Sequence, residues 1–266
     1  MRRLLLTLLV LCSTTILADD PPPAPEAAAM CPPDYGYSGY LPPAQWKFVE
    51  AWDCGKETVQ SPIAISGPYV DEFNKPVFVG YHQDRDLPTV MNSGHDFRVF
   101  PPRPSAPEKE NWISGTDLRA RLVEFHFHVP AEHTLDGVRY DAEMHLVHIN
   151  PTTSKIYVIA VLLRKGDAPN TALQPVFEQL PLNLCKTATA KLDLTGLLPK
   201  TIHNYYRYIG SLTTPPCTGG VTFFVLPVPM DIGAAQLTTL HHFGENARPL
   251  IERPTVPHIA HVRPRE

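Results

Sequence analysis

Two short runs in which histidine alternates with apolar residues constrain the fold of this chain more than any other feature. The first run, residues 124–128, reads Glu-Phe-His-Phe-His, and the second, residues 143–147, reads Glu-Met-His-Leu-Val. Successive side chains of a β-strand point to opposite faces of the sheet. His126 and His128 would therefore share one face, with Phe125 and Phe127 packed on the other. We predict a β-strand for each run.

His145 in the second run turns a common pattern into a metal hypothesis. A His-x-His pair alone more often marks two hydrogen-bonded side chains than a metal site. If the two strands are neighbours, however, His145 meets His126 and His128 and three imidazoles converge. Three nitrogen ligands with a fourth position left to water are typical of a catalytic zinc ion, whereas structural zinc has four protein ligands. The sequence therefore predicts a zinc hydrase or hydrolase.

Strand alternation also places two carboxylates beside these histidines. Glu124 shares a face with His126, and Glu143 shares one with His145. Metal-bound imidazoles usually donate their second N–H to a carboxylate, a carbonyl or water, which fixes the tautomer of the ring. We expect both carboxylates to have this role. His148 points to the opposite face, and we interpret it as a structural, hydrogen-bonding histidine.

Composition predicts a single β-rich domain with few helices. The 266 residues are 43% hydrophobic, which is enough to bury one core, and 30 of them are proline. Proline is excluded from central strands, so we expect short strands joined by irregular loops. The predicted strands cover residues 90–100, 119–128, 142–149, 155–163 and 221–228. The predicted helices cover residues 172–179 and 232–241, the second with Asp231 as its N-cap.

The N-terminus has the pattern of an export signal. Arg2 and Arg3 precede an apolar run over residues 4–11 that is too short to span a bilayer, and Ala18 offers a cleavage point. We predict a signal peptide over 1–18, a proline-rich flexible segment over 19–33 and an irregular tail over 253–266. The mature protein would be periplasmic or secreted, without stable membrane insertion. Its acidic charge, already −4 before cleavage, argues against a nucleic-acid partner.

Further motifs accompany the histidine strands in a fixed order. Glu132 and His133 follow the first pair directly. The others are Gln60-Ser61-Pro62-Ile63, Ser93-Gly94-His95, the stretch 210–216 with Thr213-Thr214-Pro215-Pro216, and Asn246-Ala247-Arg248-Pro249. Together, over about residues 35–248, they resemble the α-class carbonic anhydrases in the short-loop form typical of bacterial members. The resemblance implies a catalytic domain over 34–252 of the mainly β, α+β class. This domain would be built on a large, central, twisted, mixed and mostly antiparallel sheet with few short peripheral helices.

The resemblance also implies the reaction and its central residues. Zn²⁺ would be held by His126, His128 and His145, and zinc-bound hydroxide would attack carbon dioxide to give bicarbonate and a proton. Thr213 would accept the hydrogen bond of the hydroxide and donate its own to Glu132. Family members usually have glutamine at position 124, and we expect the carboxylate of Glu124 to raise the pKa of the bound water.

Other roles follow from the same resemblance. His95 matches the proton shuttle, and Tyr37 matches a tyrosine that orders the water chain leading to it. Thr214 would help hold bicarbonate, and the remaining pocket positions would bind carbon dioxide. These positions are Val147, Val158, Leu212, Val221 and Phe223, the last where the family usually has tryptophan. Ser93 and Arg98 also depart from the family pattern near the pocket mouth. Sulfonamides and anions are the expected inhibitors, and a homodimer is possible.

Four cysteines would remain after signal cleavage, and they allow three pairings. The resemblance favours a bridge between Cys54 and Cys217. A second bridge between Cys31 and Cys185 would then remain, with an intermolecular bond or free thiols as the alternatives.

Two other classes of protein compete with the enzyme hypothesis. Carbonic anhydrase-related proteins keep the fold but lose zinc ligands and act as binding modules, whereas here all three ligand positions are histidine. A cupin-type oxygenase would use His126, His128 and Glu132 as ligands for iron or manganese. The identity of the metal separates the cupin hypothesis from the carbonic anhydrase hypothesis.

Overall fold

The computed structural model describes residues 35–56, 59–66, 77–82, 87–103 and 109–252. The predicted signal peptide (1–18), the proline-rich segment (19–33) and the tail (253–266) lie outside these residues.

The described chain consists mostly of short strands. The strands are β1 (Ala64–Ile65), β2 (Val77–Gly80), β3 (Thr89–Asn92), β4 (Phe97–Phe100), β5 (Trp112–Gly115), β6 (Leu118–His128), β7 (Thr134–Leu135), β8 (Val138–Arg139), β9 (Ala142–Ile149), β10 (Ile156–Gly166), β11 (Thr187–Thr189), β12 (Thr201–Ile202), β13 (Tyr206–Ser211) and β14 (Gly219–Gly233). The helices are α1 (Pro43–Trp46), α2 (Gln174–Glu178) and α3 (Ala234–His241), and a 3₁₀ turn covers Leu194–Gly196.

Eleven of these strands form one large sheet. Its main path runs β11-β3-β4-β6-β9-β10-β14-β13, with β5 on β6, and β2 between β5 and β12. Neighbours pair antiparallel, except that β10 and β14 are parallel. The remaining strands, β1, β7 and β8, form a small second sheet. This large, twisted, mixed sheet with few short helices confirms the predicted fold class.

The strand predicted over 90–100 is two strands rather than one. β3 and β4 pair antiparallel and are joined by a tight turn, in which the Ser93 backbone N–H donates to the Asp96 carbonyl at 3.0 Å. Gly94 has a φ of +97° in this turn, a conformation that glycine adopts without strain. The turn places the next residue, His95, at the end of the hairpin.

The helix predicted over 232–241 begins later than expected. Asp231 is not its N-cap, because Asp231 is still part of β14 and pairs with Arg164 of β10 at 2.7 Å. Gly233 takes the N-cap position of α3, and its backbone N–H donates to the Gln236 side chain at 3.0 Å. α2 is also shorter than the predicted 172–179.

The two faces of the large sheet are covered by different clusters of side chains. Phe125, Phe127, Met144 and Leu146 are buried in the larger core on one face. The opposite face carries a smaller apolar cluster that includes Val147 and Phe223. The alternation predicted for the two histidine strands is therefore present, and it leaves the histidines on the face of the smaller cluster.

Candidate active site

The register of β6 and β9 brings the three histidines together. His126 lies directly opposite His145 in this antiparallel pair, and His128 follows two residues along β6 on the same face. The Nε2 atoms of His126 and His128 are 3.1 Å apart, and one ring nitrogen of each histidine lies within 4.8 Å of the others. All three side chains are buried, with 7%, 0% and 2% of their surface exposed.

Each histidine uses its other ring nitrogen in a hydrogen bond. Nδ1 of His126 donates to the Glu124 carboxylate, whose oxygens are 2.9 and 3.0 Å away. Nε2 of His145 donates to Glu143 at 2.7 Å, and Nδ1 of His128 donates to the backbone carbonyl of Asn246 at 2.9 Å. The remaining ring nitrogens therefore carry no proton, and their lone pairs are available to a metal ion. These nitrogens are Nε2 of His126, Nε2 of His128 and Nδ1 of His145.

This donor set fits a catalytic zinc ion. Burial lowers the pKa of His128 well below its usual value, and burial lowers the pKa of His145 as well. Both rings are therefore neutral at neutral pH, as metal ligands must be. Three neutral nitrogens, each oriented by a hydrogen bond on the far side of its ring, match a three-histidine zinc site with an open fourth position.

A buried chain of hydrogen bonds holds Glu143 behind His145. Glu143 accepts two hydrogen bonds from His133, one from Nδ1 at 2.6 Å and one from the backbone N–H of His133 at 2.8 Å. His133 contacts the Tyr208 hydroxyl at 2.5 Å through Nε2, and Tyr208 donates to Ser61 at 2.9 Å. Burial opposes the charge of Glu143, but His133 and His145 outweigh it and hold the pKa of this carboxyl well below its usual value. His133 is thus a supporting residue.

Glu132 and Thr213 face each other beside the histidines. Glu132 is fully buried, and its Oε1 accepts from the backbone N–H of Arg248 at 2.9 Å. Burial, together with the charge of Glu143, raises the pKa of Glu132 well above its usual value, and Arg248 and the Thr213 hydroxyl offset only part of this effect. The Glu132 Oε2 atom accepts no close hydrogen bond from the described residues.

The predicted shuttle His95 lies among the aromatic side chains of the N-terminal segment. Its ring is 5.1 Å from that of Tyr35 and 5.5 Å from that of Tyr37, between centroids. Nε2 of His95 contacts the backbone carbonyl of Tyr35. Nearby, Arg98 pairs with Asp96 at 3.4 Å, so its positive charge has a partner.

The predicted substrate positions line the same side of the sheet. Val147, Val158, Val221 and Phe223 are buried in one apolar cluster, and Leu212 packs against it. The Phe223 ring is 5.8 Å from that of His145 and stacks on Tyr208 at 5.0 Å. These contacts form an apolar wall next to the three histidines.

A disulfide fixes the loop that carries the two threonines. Cys54 and Cys217 are bonded, as predicted. The Cys217 backbone N–H donates to the Thr214 carbonyl at 2.9 Å, and Asp53 donates to the Pro216 carbonyl at 2.8 Å. Cys185 is also disulfide-bonded, but its predicted partner Cys31 lies outside the described residues.

Sequence reasoning missed several residues that support the site. Asn246 and Arg248 belong to a motif noted above, but no role had been assigned to either. Tyr35 also had no role, because its contacts arise only when the N-terminal segment packs against the pocket. No local pattern marks such residues, since each one meets its partner from more than 100 residues away or through backbone atoms.

The fold and the three oriented histidines together are typical of one class of protein, the β-sheet enzymes with a cluster of histidines suited to hold a metal ion. The family model described as eukaryotic-type carbonic anhydrase matches residues 41–254, and the chain belongs to this family. The cupin hypothesis is therefore wrong.

Individual relatives give the same result. A carbonic anhydrase of Klebsiella pneumoniae is 36% identical over 225 residues, covering 81% of this chain and 86% of the relative. One of Neisseria gonorrhoeae is 33% identical over 227 residues, covering 81% and 83%. Among solved structures, an α-carbonic anhydrase of Thermovibrio ammonificans in complex with the inhibitor sulfanilamide is 32% identical. Its TM-score is 0.70, and the match covers 82% of this chain and 95% of that one.

No helix within the described ranges has both the length and the apolar character needed to cross a membrane.

Proposed function

We propose that this protein is a zinc enzyme that reversibly hydrates carbon dioxide to bicarbonate and a proton. The observation that supports this most strongly is the set of three buried imidazoles, each with one nitrogen directed to a common centre and the other in a hydrogen bond. His126, His128 and His145 would hold Zn²⁺. A zinc ion bound in such a site lowers the pKa of a coordinated water to about 7 and so supplies a nucleophile at neutral pH.

Thr213 and Glu132 would orient that nucleophile. The Oε2 atom of Glu132 is buried and can accept the hydroxyl hydrogen of Thr213. The oxygen of Thr213 is then free to accept a hydrogen bond from the attacking group. A divalent cation nearby favours the ionised form of Glu132, which opposes the effect of burial on this carboxyl. Ligands that cannot donate a proton to Thr213 would be disfavoured.

Carbon dioxide would bind against the apolar wall next to the histidines. The molecule carries no charge and no net dipole, so an apolar surface suits it better than a polar one. Val147, Val158, Val221 and Phe223 offer such a surface, with Leu212 at its edge. Thr214, on the disulfide-braced loop, would help hold the bicarbonate product.

His95 would carry the proton from the site to the buffer, with Tyr37 ordering the intervening water. An imidazole suits this task because it titrates near neutral pH. With Nε2 of His95 engaged by a backbone carbonyl, Nδ1 would accept the proton. The contact between the His95 and Tyr37 rings supports this pairing of roles.

We also infer an exported protein that sulfonamides and anions inhibit. The Cys54–Cys217 disulfide supports export, because such bonds persist in oxidising compartments. Sulfonamide binding is inferred from the relative solved with sulfanilamide. The expected homodimer can be tested by sedimentation.

Stopped-flow measurement of carbon dioxide hydration, with metal analysis on the same sample, tests the proposal. We expect fast hydration, inhibition by a sulfonamide and about one zinc per chain. His145→Ala should lose both zinc and activity. His242→Ala, which changes an exposed histidine on the surface, should lose neither. Zinc bound without hydration would point to a binding protein, and a wild-type chain without zinc would contradict the site.

A further inference from the structure

Two arginines lie near the start of β6, upstream of the histidines on the same strand. Arg119 and Arg121 are two residues apart, so their side chains point to the same face of the sheet. Ala120 and Leu122, which alternate with them, are buried in the larger core on the other face. The two arginines therefore lie on the face that carries the smaller apolar cluster.

Arg121 is buried without a hydrogen-bond acceptor. Only 7% of its surface is exposed, and its Nε atom is enclosed and has no hydrogen-bond partner. Among the described residues, no carboxylate forms an ion pair with its guanidinium. An arginine keeps its charge at neutral pH, and a buried charge without a partner costs free energy. A bound group of opposite charge would remove this cost.

The neighbours of Arg121 add a second cation and apolar walls. Trp112 of β5 lies directly opposite Arg121 in the register, and Cζ of Arg119 lies over the Trp112 ring, 4.4 Å from its centroid. Ile149 of β9 is opposite Arg121 on the other side and packs against the smaller apolar cluster. Arg119 is exposed, so its N–H groups can be reached from solvent while the aromatic ring holds the cation in place.

The charges around Arg121 are mostly positive. Burial lowers the pKa of Arg121, the charge of Arg103 lowers it further, and Glu110 offsets part of this effect. Glu110 forms no ion pair with a cation of the described residues. Arg103, Arg119 and Arg121 therefore face a single acid, and their combined charge attracts anions.

We propose that Arg119 and Arg121 form a binding site for a small oxyanion, such as a phosphate or a carboxylate, separate from the three histidines. A guanidinium presents its N–H groups as a planar fork that matches two oxygens of a phosphate or carboxylate. A small anion suits the site because Arg121 lies between the side chains of two neighbouring strands. The site does not depend on the proposed hydration activity.

The test measures the binding of inorganic phosphate to the purified full chain by isothermal titration calorimetry, with a saturating sulfonamide present. The sulfonamide keeps phosphate away from the three histidines, where anions are also expected to bind. Arg121→Met removes the buried cation and should bind phosphate about ten-fold more weakly than the wild type. Arg139→Gln, the matched control, changes an exposed arginine of the small second sheet and should bind phosphate as the wild type does.

Thermal stability separates a binding residue from a structural one. In a buffer with little anion, Arg121→Met should melt no lower than the wild type, because it removes a buried charge that has no partner. Phosphate should raise the melting temperature of the wild type by about 2–4 °C and leave that of Arg121→Met unchanged. Arg121→Lys keeps the charge but loses the fork, and should bind phosphate with intermediate affinity. It provides the comparison if Arg121→Met does not fold.

Vesicles of phosphatidylglycerol form a second arm, which separates a free oxyanion from a lipid headgroup. Cosedimentation that phosphate competes away and that Arg121→Met loses would assign the site to a headgroup, whereas phosphate binding without cosedimentation would assign it to a free oxyanion. A wild type that binds no phosphate overturns the inference, as does equal binding by the wild type and the Arg121 variants. A melting temperature that falls equally with and without phosphate in Arg121→Met would show a structural role and would also overturn it.

Discussion

His126 and His145 differ from His128 in the group that accepts the N–H of the ring. His126 and His145 each donate to a carboxylate on their own strand, whereas His128 donates to the neutral carbonyl of Asn246. For His126 this carboxylate is Glu124. Both oxygens of Glu124 lie within 3.0 Å of Nδ1. A negative charge so close to a ligand adds electron density to the imidazole and disfavours further negative charge at the metal.

Glu124→Gln should therefore lower the midpoint of the hydration rate against pH. The amide keeps a hydrogen-bond acceptor for His126 but removes the negative charge, so an anionic nucleophile forms at lower pH. Stopped-flow rates between pH 5.5 and 9 in saturating buffer measure the midpoint. An unchanged midpoint would mean that the charge of Glu124 has no influence on the reacting water.

At the scale of single residues, the sequence predicts contacts correctly where the alternation of side chains along a strand determines them. The spacing of Glu124 and His126 predicts a shared face, and the contact between them is present. The partner of His128 could not be predicted in the same way. Asn246 lies 118 residues away and contributes a backbone carbonyl, which carries no side-chain signature.

At the scale of elements, a register shift in β6, the strand of His126 and His128, changes which residues point to each face of the sheet. β6 is irregular against β9 between Leu122 and Glu124. Leu122 packs in the larger core, while Val123 and Glu124 both lie on the opposite side. A bulge of this kind adds one residue and re-aims those that follow. Alternation counted from Glu124 onward is therefore correct, but alternation counted across residue 123 would fail.

The loop that carries Thr213 and Thr214 has its own support in the Cys54–Cys217 bridge, which closes a separation of 163 residues. Replacing both cysteines by alanine should lower the free energy of unfolding by about 3–5 kcal/mol. Urea denaturation, followed by fluorescence, measures this loss. The double variant treated with a reductant is the control for the bond at Cys185. Equal stability of variant and wild type would show that the loop is held by its other contacts.

The strands also show which features of the fold could not be predicted from the sequence. Short apolar runs identified most of the central strands, but their order in the sheet could not be read from them. β10 and β14 are parallel neighbours in the sheet, although three strands, β11, β12 and β13, lie between them in the chain. The turn at Gly94 was also missed, because a hairpin with apolar flanks looks like one continuous strand.

For the molecule as a whole, His148 makes stability depend on pH. It is fully buried and bonded through Nε2 to the Tyr81 hydroxyl at 2.6 Å. Burial lowers the pKa of His148 from 6.5 to about 3. Between these values the unfolded chain binds a proton that the folded protein does not, so the folded state loses stability as the pH falls below about 6.5.

His148→Gln should make the metal-free protein less sensitive to acid. Each pH unit below 6.5 costs the wild type up to about 1.4 kcal/mol through this one group, and the variant lacks that contribution. Urea denaturation of chelator-treated samples between pH 5 and 7.5 gives the two slopes. Both proteins contain the other buried titratable groups, including Glu132, so comparing the two slopes cancels the pH dependence that these groups contribute. Parallel slopes would mean that His148 takes up a proton in the folded state as readily as in the unfolded chain, which would contradict the prediction.

The carbonyl of Asn246 that orients His128 has a consequence for the biosynthesis of the protein. Synthesis adds this residue more than 100 positions after the histidine strands, and only then can His128 be oriented. A nascent chain, or one cleaved before position 246, would hold its three histidines without the group that aligns one of them. Metal loading should thus follow completion and release of the polypeptide rather than accompany its elongation.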